Sequence, residues 1–172
     1  MKNILYTGIF LFFILLSGCS SYISPPAIIP FPAEIEIRTG DDFLLSDKTC
    51  ITFAPGNPDL ERLAASMAAD IRLQTGLSLS AKENTLKSDP KTIILQLSKE
   101  KDNGNPEGYR MQTGKDGVQI TAASAAGIFY GIQTFLQLLP VLPSESAPVY
   151  ENRVIRIPRT NIVDYPRYSW RG

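Results

Sequence analysis

The chain has 172 residues, 44% of them hydrophobic, with 17 basic against 17 acidic side chains and no histidine. That is enough for one domain with a real core, and the balanced charge gives no electrostatic basis for binding nucleic acid. Two cysteines and no histidine cannot assemble a zinc site of the usual Cys/His type, so no metal and no cofactor are expected.

The N-terminus reads as a targeting segment. Lys2 supplies a positive start, and Ile4 to Leu16 is an almost wholly apolar run. It is shorter than the roughly 20 residues of a helical membrane span and fits the hydrophobic region of a signal peptide. The run ends in Leu16-Ser17-Gly18-Cys19. Small residues ahead of a cysteine at that place resemble a bacterial lipobox, which implies cleavage before Cys19 and a diacylglycerol on its thiol. Buried acyl chains contribute roughly 0.8 kcal/mol per CH₂. The expected partner of Cys19 is therefore a membrane, to which the protein is anchored without spanning it. The expected location is the bacterial cell envelope, at the outer membrane or cell surface. Residues 1–18 form the leader, and 19–32, rich in Ser and Pro, form a tether. Loss of the leader leaves 154 residues and 16 basic against 17 acidic side chains. Cys50 then has no disulfide partner and, in the strand-like run Thr49–Phe53, reads as a buried core thiol.

Phe31 to Arg38 alternates like a strand, with Ile35 and Ile37 between Glu34, Glu36 and Arg38. Gly40-Asp41-Asp42 is a turn signal. Phe43 to Leu45 and Cys50 to Phe53 are short extended runs, ended by Pro55-Gly56-Asn57. A helix follows, with Asn57 as N-cap, Pro58 at its first position and Asp59 and Glu61 in the first turn. Leu60, Leu63, Ala64, Met67 and Ile71 share one face, and Gly76 is the expected C-cap. Thr92 to Leu97 is an apolar strand, and Lys99 to Pro106 a polar loop. Residues 107–112 and 118–121 form a hairpin over the Lys115-Asp116-Gly117 tip. A second helix runs from Ser124, its N-cap, to about Leu139, with Ile128, Ile132, Phe135, Leu136 and Leu139 in a stripe. Gly127 and Gly131 each cost it about 1 kcal/mol against Ala, which close approach to a sheet would explain. Residues 140–152 form a Pro/Ser-rich connection, and 153–163 are extended. The pattern predicts an α+β fold, with a mostly antiparallel sheet and two helices packed on one face.

Three blocks carry a family resemblance. Residues 122–140 (AASAAGIFYGIQTFLQLLP), Glu107-Gly108-Tyr109, and residues 164–172 (DYPRYSWRG) resemble, in order and spacing, glycoside hydrolase family 20. The resemblance covers about residues 30–172. It implies a β-N-acetylhexosaminidase, an exo-acting enzyme that removes terminal N-acetylglucosamine or N-acetylgalactosamine from glycans. It implies that residues 33–163 are the non-catalytic α+β domain and that 164–172 open a catalytic (β/α)₈ barrel. Catalysis in this family is substrate-assisted. The 2-acetamido oxygen attacks the anomeric carbon, a Glu serves as general acid/base, and a neighbouring Asp steadies the acetamido group. By position Arg171 is the residue that grips hydroxyls of the terminal sugar, and a guanidinium fork suits that task. Trp170, Tyr109, Tyr130, Tyr165 and Tyr168 read as packing, and Asp164 as a structural cap or ion-pair partner. A barrel takes roughly 250 residues, and only Gly172 follows Arg171. The barrel is therefore expected to be absent apart from its opening segment, no catalytic residue is assigned, and the chain alone is expected to be inactive. The alternative is a free-standing lipoprotein module that binds glycan or a partner protein.

Overall fold

A computed structural model describes residues 27–83, 89–98, 105–140 and 154–167. Their elements in chain order are β1 (Glu34–Leu45), β2 (Cys50–Phe53), α1 (Pro58–Thr75), β3 (Ser80–Glu83), β4 (Thr92–Leu97), β5 (Tyr109–Gly114), β6 (Gly117–Ala122), α2 (Ala125–Gln137) and β7 (Ile155–Asp164). The strands form one sheet in the order β1-β7-β5-β6-β4-β2-β3, and both helices lie on one face. This is the expected α+β architecture, and the described residues hold no barrel.

Local chemistry explains both helices. The Asn57 side chain accepts the Leu60 N–H at 3.1 Å, Pro58 opens α1, and Asp59 and Glu61 sit at its positive end. Gly76, at φ 79°, closes α1 and donates to the Arg72 carbonyl at 2.8 Å. Leu60, Ala64, Met67 and Ile71 are buried, so α1 docks by its predicted stripe. Ser124 caps α2 by accepting from the Gly127 N–H, and Ile128, Ile132 and Phe135 face the core.

The sheet has two halves. β1, β7, β5 and β6 pair antiparallel and carry the longest ladders. The β5–β6 hairpin closes over Lys115 and Asp116, with Gly114 opposite Gly117, as its turn residues predict. β6, β4, β2 and β3 pair parallel, and α1 carries the chain from β2 to β3. Parallel neighbours need a crossover connection. Short strands and turn signals do not announce that half, and β3, wholly exposed, leaves no hydrophobic signature.

The Gly40-Asp41-Asp42 turn signal is realised without a chain reversal. β1 runs through it, and its register against β7 jumps from Arg38↔Arg159 to Phe43↔Ile157. Five steps on β1 thus face two on β7, a bulge that Gly40 (φ 79°) and Asp41 (φ 56°) make possible. Pro158 of β7 lies in the skipped stretch, where its missing N–H costs no ladder bond. Its carbonyl accepts from the hydroxyls of Thr113 (2.5 Å) and Thr160 (2.9 Å). Cys50 also differs from expectation. It is half-buried, because it alternates with Ile51 and Phe53, which point into the core.

Candidate functional site

Glu107-Gly108-Tyr109, the start of residues 122–140 and Asp164 meet at one end of the sheet. Tyr109 opens β5, pairs with Ala122 on β6, and pairs with Asp164 at the end of β7. Its buried ring lies under α2, and its hydroxyl is 2.5 Å from the Thr134 hydroxyl. A Cβ on Gly131 would stand 2.5 Å from Ile120 Cγ2 and 3.2 Å from Tyr109 Cδ2. A Cβ on Gly127 would stand 2.7 Å from Ala122 Cβ and would overlap the Gly108 carbonyl oxygen. The two glycines are therefore where helix backbone meets sheet, as expected. Gly108 itself is held because the loop before β5 is fixed. Asn105 Oδ1 accepts the Glu107 N–H at 2.9 Å, and Ser124 Oγ donates to the Pro106 carbonyl at 2.5 Å.

Asp164 and the far end of α2 are both fastened to the segment that leads into β1. Asp164 Oδ1 accepts the Ala33 N–H at 3.1 Å. Gln137 Oε1 accepts the Ile29 N–H at 2.8 Å, and Ile28 is buried in the core. Gln74 Nε2 reaches from α1 to the Leu136 carbonyl at 3.2 Å, which joins the two helices. Asp164 is thus a backbone acceptor in a strand-end clamp, the cap reading of the sequence. Gln137, Gln74 and Thr134 escape sequence reasoning. Their only signal there is a polar side chain at the border of an apolar helical stripe.

On the sheet face away from the helices, Glu36 forms an ion pair with Arg38 at 2.8 Å and accepts from Asn161 at 3.3 Å. The Arg38 and Asn161 hydrogen bonds hold the Glu36 carboxyl below the ordinary range. It is an exposed pair on a strand, and nothing in its surroundings makes it an acid catalyst.

The family model described as "Glycosyl hydrolase family 20, domain 2" matches residues 25–165. The chain belongs to that family. Within the glycosyl hydrolase family 20, the chain is 32% identical over 148 residues to a beta-hexosaminidase of Porphyromonas gingivalis, covering 84% of this chain and 18% of that protein. It is 29% identical over 146 residues to a beta-N-acetylhexosaminidase of Cellulomonas fimi, covering 85% and 27%. The structure of the beta-N-acetylhexosaminidase of Streptomyces coelicolor A3(2) superposes with a TM-score of 0.69 at 33% identity, over 86% of this chain and 28% of that one. The chain therefore spans less than a third of the length of these relatives.

For family 20 domain 2, then, the motif residues that can be placed are structural. Gly108, Tyr109, Gly127, Gly131 and Asp164 build one sheet end, Thr134 holds the Tyr109 hydroxyl, and Gln137 ties α2 to Ile29. Arg171, Trp170 and Cys19 lie outside the described residues.

Proposed function

We propose that this chain is the N-terminal part of a membrane-anchored, exo-acting β-N-acetylhexosaminidase. The observation that carries the reading is the family match over residues 25–165 together with relatives named for that activity. In this reading Cys19 is lipidated, 19–32 are a tether in the cell envelope, 33–163 are the supporting domain, and 164–172 open the catalytic barrel. Arg171 binds hydroxyls of a terminal N-acetylhexosamine. The general acid/base Glu and the acetamido-orienting Asp belong to sequence beyond Gly172. No helix among the described residues is long and apolar enough to cross a membrane; in this reading the membrane link is the lipid on Cys19. The helices leave Leu73 90% and Phe129 44% exposed, an apolar surface suited to a domain that a second domain covers.

The test has two parts. The 172-residue chain should not hydrolyse a chromogenic N-acetyl-β-glucosaminide above a heat-killed control. The protein continued past Gly172 in its reading frame should hydrolyse it, and Arg171→Ala should lower kcat/KM by about 10²-fold or more, the loss of two hydrogen bonds to a charged group at about 1.5 kcal/mol each. Turnover by the short chain, or no frame beyond Gly172, overturns the reading. For the anchor, a Cys19→Ala variant should leave the membrane fraction and take up no labelled fatty acid.

A further inference from the structure

The sheet face away from the helices carries a cavity of about 300 Å³ at the hairpin end, the end opposite Asp164. Its floor is a row of amides. Gln119 on β6, Gln112 on β5 and Asn161 on β7 are register partners. Neighbouring strands lie ~4.8 Å apart, so the row is ~10 Å long, about the length of a disaccharide. The β1 bulge supplies one wall. It holds Asp41 at φ 56°, a left-handed conformation that few non-glycine residues adopt, and aims its carboxylate between Lys115 and Arg159, 3.5 Å from each. Bulges often re-aim a side chain beside a functional site, and strained residues gather there.

The lining selects a ligand class. Asp41 and Asp116 offset Lys115 and Arg159, so the groove has no net charge to favour a phosphate or a metal cation. The groove-facing side chains are amides and charged groups, which does not suit a lipid or an apolar ligand. An amide donates and accepts in one plane, which matches hydroxyls that do both. Capacity remains for such bonds. Gln119 Nε2 donates to Gln96 Oε1 at 2.8 Å and Asn161 Nδ2 to Glu36 at 3.3 Å, which leaves their carbonyl oxygens as acceptors. Gln112 is exposed with no hydrogen-bond partner among the described residues, and the Asp41 contacts are longer than a charge-assisted hydrogen bond of about 2.8 Å. We infer that this groove binds a neutral oligosaccharide laid along the Gln119–Gln112–Asn161 row, with Asp41 and Arg159 holding hydroxyls at one end. It goes beyond the proposed hydrolysis, because it places a glycan contact on this domain itself.

Calorimetric titration of the 172-residue chain with triacetylchitotriose, and separately with inorganic phosphate, tests it. Saturable 1:1 binding of the sugar and none of phosphate is expected. A Gln112→Ala/Asn161→Ala variant should bind at least tenfold more weakly with unchanged circular dichroism. Asp41→Gly should lose binding similarly although it relieves a strained residue, so misfolding does not account for the loss. Asp41→Asn, which tolerates the left-handed backbone and keeps one acceptor, should bind between the two. No heat of binding, phosphate binding in place of sugar, or variants that bind like the parent each overturn the inference. If the longer protein cleaves a hexosaminide while this chain binds no chitotriose, the groove falls and the hydrolase reading stands. If this chain binds chitotriose while the longer protein is inert, the groove stands and the hydrolase reading falls.

Discussion

Gly127→Ala sets two effects of opposite sign against each other. In an exposed helix interior the change gains about 1 kcal/mol of propensity. Here the new Cβ would stand 2.7 Å from Ala122 Cβ and on top of the Gly108 carbonyl oxygen. The carbonyl is backbone, and its loop is pinned by the Asn105 and Ser124 hydrogen bonds, so it cannot give way as a side chain tip can. α2 must instead move off the sheet, which disturbs Ile128, Ile132 and Phe135 together. Overpacking of a filled core costs about 1–3 kcal/mol, and more where backbone is the obstacle. A net loss of about 2 kcal/mol is expected, or roughly 8 °C in Tm for a domain of this size. Urea and thermal unfolding followed by circular dichroism measure it, with Ala126→Gly, exposed on the same helix, as the propensity control. A stabilised Gly127→Ala protein would refute the close-packing argument outright, because propensity alone predicts that sign.

Asn57→Ala removes the acceptor for the Leu60 N–H and should cost about 1 kcal/mol in the same unfolding assay, with amide exchange rising in the first turn of α1. Tyr109→Phe leaves the buried Thr134 hydroxyl without its 2.5 Å partner and should cost about 1–2 kcal/mol; adding Thr134→Val should cost less than the two single changes combined, as a double-mutant cycle will show. Glu36 has a lowered pKa, so its contribution to stability is present above its unfolded pKa and is lost as pH falls through the folded value. Carbon-detected NMR should place its midpoint below the ordinary glutamate value of 4.5, and Arg38→Ala should move it back up. The 172-residue chain should self-associate in sedimentation through its exposed helix face, and Leu73→Asp should reduce this; a monodisperse monomer counts against the proposal that another domain covers that face.

What was legible in the sequence followed local rules. Asn57, Pro58 and Gly76 punctuate α1 by chemistry that needs no tertiary partner, and the Lys115-Asp116-Gly117 tip closes its hairpin for the same reason. Gly127 and Gly131 announced a close approach because each lowers helix propensity, and a membrane-dimerisation reading of Gly-x-x-x-Gly does not suit a short helix carrying Gln133, Thr134 and Gln137. The misses are non-local. β3 consists of exposed Ser80, Ala81, Lys82 and Glu83, and becomes a strand only because β2 offers it an edge. Gly40-Asp41 reads as a reversal, and only the β7 partner, with Pro158 opposite, turns it into a bulge. Whether Gln137 faces water or clamps Ile29 depends on a contact 108 residues away.

The placement of the clamp bears on how such a domain would serve a catalytic neighbour. β7 is an interior strand, paired with β1 and β5 on its two sides, and it ends at Asp164, the first residue of the third sequence block. An edge strand could fray at that point, whereas β7 is held on both sides. Tyr109 under α2 fixes its neighbour, and Asp164 fastens its last residue to Ala33. The glycines lower helix propensity by about 1 kcal/mol each, and in exchange they let α2 approach Gly108, Ala122, Ile120 and Tyr109 closely. The described motif residues Gly108, Tyr109, Gly127, Gly131 and Asp164 thus act through packing and hydrogen bonds. Under the proposed function, they fix the end of β7 at Asp164, the point from which the barrel segment continues.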